Sequence, residues 1–121
     1  MKKTSVFHIK REQKKSFFLR EVAGFVRQIS VDEPDLLKLF VTKVDLSRDT
    51  GICYVYISTY TNEEDFEKGL EILKLYKPSM RKALGQALNK KYVPNLVFLY
   101  DKAKEKERRV TSLLDKISKE D

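Results

Sequence analysis

Arg81, Lys82, Gly85, Gln86 and Asn89 are spaced so that, at about 100° per residue, they share one face of a helix, opposite Met80, Leu84 and Ala87. Such a face suits recognition of a polyanion. Cations neutralise phosphates, amides reach sugars or base edges, and a glycine lets a backbone approach closely. Lys77 precedes the face, Lys90 and Lys91 follow it, and Arg48, in a turn between two strand-like runs, completes the candidate RNA-binding set. From Ile72 to Tyr100 there is not one Asp or Glu. A merely solvated surface mixes both signs to limit self-repulsion, so a one-sign window points to an anionic partner, most commonly a phosphate backbone.

Catalysis finds no comparable constellation. Ser79, Thr61 and Asp49 have no histidine partner with which to build a nucleophile–base system, since the chain holds a single histidine, His8. His8 and the lone Cys53 fall short of the roughly four ligands of a structural zinc site, and one cysteine excludes an internal disulfide. Four scattered glycines make no phosphate-cradling loop. The acids of 63–71 read as the first turn and solvated face of a helix, not as a carboxylate pair. No catalytic residue, metal site or cofactor is therefore expected. Tyr54 and Tyr56 could stack on bases, but they alternate with Val55 and Ile57 and read better as the cover of one sheet face. Cys53, in the same run, reads as a small buried hydrophobe. Lys102, Lys104, Lys106, Arg108 and Arg109 interleave with Glu105 and Glu107, which favours a solvated face over a binding one.

The elements that must position the basic face follow from periodicity. Phe18, Val22, Phe25/Val26 and Ile29 recur at helical spacing, predicting an amphipathic helix over 11–29 behind a loose basic arm. Leu36–Leu46 and Ile52–Tyr60 predict two strands, joined by the turn-forming Ser47-Arg48-Asp49-Thr50-Gly51 into an antiparallel hairpin. Thr61 with Glu64 fits a capping box opening the next helix, whose inner face holds Phe66, Leu70 and Leu73. At Tyr76-Lys77-Pro78 the chain is expected to bend, because Pro78 lacks an N–H and clashes with the preceding turn. Pro78 would then start a new helix on a new axis, with Met80, Ala83, Leu84 and Ala87 facing inward. Val93–Tyr100, opened by Pro94, predicts a third strand. A last helix follows Asp101, with Val110, Leu113, Leu114 and Ile117 as its stripe. Three strands with helices packed on them make a two-layer α+β (α/β) domain. The first six elements follow the order of a KH-like type II fold, in which nucleic acid lies along the junction of the central helices.

The 121 residues fit one domain spanning 1–121. The net charge of +7 is unevenly placed: residues 1–31 carry eight Lys/Arg against two acids, 32–74 five against ten, and 75–121 twelve against six. Neither a signal peptide nor the ~18 apolar residues of a membrane span is evident, so the soluble cytoplasm, away from membranes, is the expectation; a monomer is expected as well.

Three stretches resemble the ribosome-binding factor A family. Val44-Asp45-Leu46-Ser47-Arg48-Asp49, followed by Cys53-Tyr54-Val55-Tyr56-Ile57-Ser58, is similar to the family's strand–turn–strand pattern. Met80-Arg81 with Tyr92-Val93-Pro94-Asn95-Leu96-Val97-Phe98-Leu99-Tyr100-Asp101 resembles its "apolar-Arg … Val-Pro-x-Leu-x-Phe-x-x-Asp" run. Arg109-Val110 with Leu113-Leu114 resembles its ending. The resemblance implies a KH-like, non-enzymatic assembly factor that binds the small (30S) ribosomal subunit and its 16S rRNA precursor, assists late maturation and rRNA processing, and supports growth in the cold. It also implies a central bend of Ala-x-Gly type, for which this chain has Tyr76-Lys77-Pro78; only Arg81 among the basic residues matches the family motif. The alternatives are a general KH-like single-stranded RNA-binding module, or a protein-interaction domain that offers its acidic 63–71 helix to a basic partner.

Overall fold

Alternation along Ile52–Ile57 builds the centre of the molecule. Cys53, Val55 and Ile57 are wholly buried on one side, while Tyr54 and Tyr56 remain half-exposed on the other, as a period-two strand requires. The structure is a computed structural model that describes residues 2–88, 93–104 and 106, with side chains from Lys10 onward. Its elements are helix α1 (Lys2–Ile29), a short 3₁₀ turn (Pro34–Lys38), strand β1 (Leu39–Leu46), strand β2 (Ile52–Thr59), helix α2 (Glu63–Leu88) and strand β3 (Asn95–Tyr100). The sheet order is β1-β2-β3. β1 and β2 are antiparallel, with Val44 opposite Val55 and an irregularity between Val41 and Lys43; β2 and β3 are parallel, with Val55 opposite Phe98. Parallel pairing needs a crossover, and α2 supplies it. Residues 102–104 are again helical.

Both helices pack on the face that carries Leu39, Val44, Leu46, Cys53, Val55, Ile57, Leu96 and Phe98. α1 contributes Phe18, Val22 and Val26, and α2 contributes Phe66, Leu73, Met80 and Leu84. This is a two-layer α+β fold with a mixed three-stranded sheet, as the element order predicts.

Several local expectations need correction. α1 extends back to Lys2, so the residues read as a loose arm are helical; no Gly or Pro interrupts Lys2–Lys10. Leu36–Lys38 belong to the 3₁₀ turn instead of β1, because Pro34 opens a tight turn in which Leu36 N–H donates to the Glu33 carbonyl at 3.0 Å. The cap of α2 is Asn62, not Thr61: its Oδ1 accepts the Asp65 N–H at 3.0 Å, while the Thr61 hydroxyl turns to the Asp65 carboxylate. Pro78 does not start a second helix, for α2 continues unbroken from Glu63 to Leu88 with Pro78 inside it. A proline inside a helix costs about 3 kcal/mol. Leu73 and Met80, on either side of it, are 0% and 2% exposed, and burying each side chain contributes about 1.5–3 kcal/mol. Packing therefore outweighs the break. Ala87, expected to face inward, is exposed near the helix end.

The β1–β2 turn is built from its own side chains. Asp49 Oδ1 accepts the Ser47 hydroxyl and the Gly51 N–H, each at 2.9 Å, and Ser47 Oγ accepts the Ile52 N–H at 2.9 Å. The Gly51 amide, followed by the Ser47 hydroxyl, holds the Asp49 carboxyl below the usual carboxylate range. The left-handed position falls on Thr50, at φ 58°, and not on the neighbouring glycine.

Candidate nucleic-acid interface

The last turns of α2 carry most of the candidate face. Arg81, Lys82 and Gln86 are exposed and Gly85 is half-buried. Met80 and Leu84 pin the opposite side to the sheet, so the polar side must point outward. Lys77, one turn earlier, is half-buried, with its ammonium 5.8 Å from the centre of the Phe98 ring on β3. Arg48 is exposed on the β1–β2 turn. Lys90 and Lys91, with Asn89, lie outside the described residues. So do all but the first residues of the helix expected after Asp101.

Arg81 is engaged within the fold. Its Nη2 donates to the Val93 carbonyl at 3.0 Å and its Nε to the Pro94 carbonyl at 3.3 Å, tying α2 to the entry of β3. Pro94 offers no N–H, and the guanidinium takes up carbonyls that would otherwise face water. The "apolar-Arg … Val-Pro" spacing thus has a structural use within this chain. Tyr76 behaves similarly: its hydroxyl donates to Glu33 Oε1 at 3.4 Å, across to the segment after α1. Burial, with Glu33 adding to it, raises the Tyr76 hydroxyl above its ordinary value.

The β1–β2 turn and the end of α2 come together around an open cleft of about 310 Å³, lined by Lys14, Phe18, Asp49, Thr50, Gly51, Leu88, Val93 and Pro94. The same turn is joined to β3 where the Asn95 N–H donates to the Gly51 carbonyl at 2.9 Å. Lys14, from α1, is the cation that helix periodicity alone left out of the site. Most of its neighbours in the cleft come from distant parts of the chain, which no local pattern could signal. Two neighbouring cations on α1 are already occupied: Arg11 donates to the carbonyls of Leu46 and Ser47, and Lys15 pairs with Asp45 at 3.2 Å and Glu12 at 3.5 Å. The hydrogen bond from Lys15 draws the Asp45 carboxyl down, and Asp45 in turn raises Lys15.

At the other end of β3, Asp101 is buried. Its Oδ2 accepts the Thr42 hydroxyl at 2.5 Å and its Oδ1 the Lys104 N–H at 3.0 Å. Burial works to raise its pKa, but the Thr42 hydroxyl and the Lys104 amide outweigh it, and the carboxyl sits below its ordinary value. Burial pushes the Cys53 thiol up to about 12, so Cys53 is a core side chain held as the thiol. Among the described residues, no group of three or more His, Cys, Asp or Glu could hold a metal ion.

The family profile of ribosome-binding factor A matches residues 10–114. The chain belongs to the ribosome-binding factor A family. The family protein of Thermosipho africanus is 32% identical over 115 residues, covering 92% of this chain and 91% of its own. That of Clostridium tetani is 30% identical over 98 residues, covering 81% of each chain. The crystal structure of ribosome-binding factor A from Thermus thermophilus shares the fold, with a TM-score of 0.63 over 74% of this chain and 93% of that one, at 24% identity. A second Thermus thermophilus ribosome-binding factor A structure, a homology model fitted into the cryo-EM map of a 30S complex, has a TM-score of 0.59 at 26% identity and covers 73% and 91% of the two chains.

Proposed function

We propose that this ribosome-binding factor A family member associates, as a monomer formed by one KH-like domain, with the small (30S) ribosomal subunit and its 16S rRNA precursor. There it assists late maturation and rRNA processing without catalysing a reaction. The cytoplasm is its place of action; among the described residues no helix is long and apolar enough to cross a membrane. The observation that carries the proposal is the end of α2, within a stretch free of Asp and Glu from Ile72 to Tyr100, where Arg81, Lys82 and Gln86 are exposed; Lys14 lines the cleft that this helix end shares with the β1–β2 turn. A relative fitted into a 30S complex supports the same partner.

In this reading Lys82, Arg48, Lys77, Lys90 and Lys91 neutralise phosphates, while Gln86 and the small Gly85 accommodate the sugar–phosphate chain. Tyr76, Lys77 and Pro78 lie within the continuous α2, just before this face. Arg81 contributes by fixing the loop into β3, and through its charge where the guanidinium remains exposed.

Co-sedimentation of the purified protein with small subunits, large subunits and free single-stranded RNA across a salt series tests the proposal. Selective retention on the small subunit, fading with salt as phosphate contacts are screened, is the expected result. Equal retention on all three would reduce the chain to a general single-stranded RNA-binding module, and no retention would overturn the proposal.

A further inference from the structure

Away from the basic end of α2 lies a second surface, an apolar cleft with acids in the chain on either side of it. An open cleft of about 330 Å³ lies between the end of α1, the 3₁₀ turn and the start of β1, lined by Ala23, Val26, Arg27, Ser30, Leu36, Leu37, Leu39, Phe40, Val41 and Tyr60. Its apolar side chains are not all covered: Leu37 is 65% and Tyr60 68% exposed, and Val31, next to Ser30, is 82% exposed. The Phe40 and Tyr60 rings meet at 4.7 Å, which holds Tyr60 over the cleft. Leu37 and Tyr60 thus line the cleft while remaining largely open to solvent.

Acids flank the cleft along the chain. Asp32 and Asp35 bracket the segment between Ser30 and Leu37, and Glu63 and Glu64 follow Tyr60 at the start of α2. None of these four is engaged in an ion pair among the described residues. The nearby cations are Lys38, already paired with Asp65 at 3.7 Å, Lys68, which also acts on Asp65, and Arg27, the one charged residue in the cleft lining. In a chain of net charge +7, four carboxylates outside any ion pair among the described residues thus adjoin in sequence three of its exposed apolar side chains, Val31, Leu37 and Tyr60. An RNA segment would find the aromatic pair suitable for stacking, yet it would have to bring its phosphates against four carboxylates, and the charge decides against it.

We propose that this cleft docks a lysine- and arginine-rich protein segment carrying an apolar anchor. The anchor inserts between Leu37, Phe40 and Tyr60, and the basic residues lie along Asp32, Asp35, Glu63 and Glu64. Electrostatic complementarity of this sort sets partner choice and speeds encounter, while the buried anchor holds the complex.

The test is a titration of the isotope-labelled full chain, followed by NMR, with a short synthetic lysine-rich peptide bearing one leucine and one phenylalanine. The control peptide replaces both apolar residues by serine, and oligouridylate is the third probe. The apolar-bearing peptide is expected to perturb Leu37, Phe40, Tyr60, Glu63 and Glu64. Its affinity should fall by about tenfold or more in Leu37→Ser and Tyr60→Ser, the loss of one buried apolar contact, and should also fall in the double variant Glu63→Gln/Glu64→Gln. Lys82→Ala should leave it unchanged. Both serine substitutions replace exposed side chains, so the fold is retained. Equal binding of the serine control would overturn the proposal, as would perturbation of this cleft by oligouridylate or by raising the protein concentration alone. The titration uses no ribosomal particle, so its failure is separable from failure of small-subunit association.

Discussion

Replacing Arg81 separates two effects that its sequence position alone would merge. Its guanidinium spans two carbonyls at the entry of β3, and Lys cannot reproduce that fork. Arg81→Lys should therefore lower stability by on the order of 1 kcal/mol in urea unfolding while keeping the charge. If subunit retention in Arg81→Lys also falls at conditions where the protein is fully folded, the guanidinium contributes to binding beyond its charge. Asp101 makes a prediction tied to pH. Its folded pKa lies below the unfolded value of about 3.9, so its stabilisation is present above that value and lost as pH falls through the lower folded pKa. Asp101→Asn should be less stable than the parent by about 1 kcal/mol at neutral pH, and the gap in denaturation midpoints should narrow below about pH 4. The charge of Arg81 and the strand-end place of Asp101 were legible in the sequence. Their partners were not: Val93 and Pro94 lie 12 and 13 positions from Arg81, and Thr42 lies 59 from Asp101, distances over which no periodicity operates.

Among the elements, α2 shows where local signals lose to packing. Pro78 is a strong breaker read in isolation, yet Leu73 and Met80 anchor both halves of the helix against one sheet. The β2 alternation, by contrast, was legible from Ile52 to Ile57, because burial on one face of a strand imposes the same period that sequence displays; it fails at Ser58, read with Tyr54 and Tyr56 but wholly buried, as is Thr59 after it. Gly69 was silent in the sequence and is decisive in the fold. A Cβ there would run into Leu39 Cδ1 and sit 3.1 Å from its Cγ, with Leu36 Cδ2 at 3.4 Å. Alanine would gain about 1 kcal/mol of helix propensity, but overpacking costs about 1–3 kcal/mol, and Leu39, 5% exposed, has little room to yield. Gly69→Ala should be net destabilising, seen as a lower urea midpoint with an unchanged slope. A midpoint equal to or above the parent's would show that Leu39 can repack.

For the whole molecule, α2 is an axle with unlike ends. Glu63, Glu64 and Asp65 occupy its first turn and Lys82 its last two turns, separated by most of a length of about 39 Å at 1.5 Å per residue. A chain polarised this way orients itself in the field of a polyanion before contact. Lys82→Ala should reduce the slope of log affinity against log salt for the small subunit by roughly 0.7–0.9, one released counterion. An unchanged slope would remove Lys82 from the interface. The same sheet that supports this polarity also ends in β3, which has no strand on its outer side among the described residues. Asn95-Leu96-Val97-Phe98-Leu99-Tyr100 contains no charge and no proline, a composition apt to pair with its own copies once freed. Pro94 before it and Asp101 and Lys102 after it act as gatekeepers. When heat loosens α2 from the sheet, this edge strand, with the equally uncharged β2 behind it, gives unfolded molecules a surface through which to stick to one another, which would make the thermal transition irreversible and dependent on protein concentration.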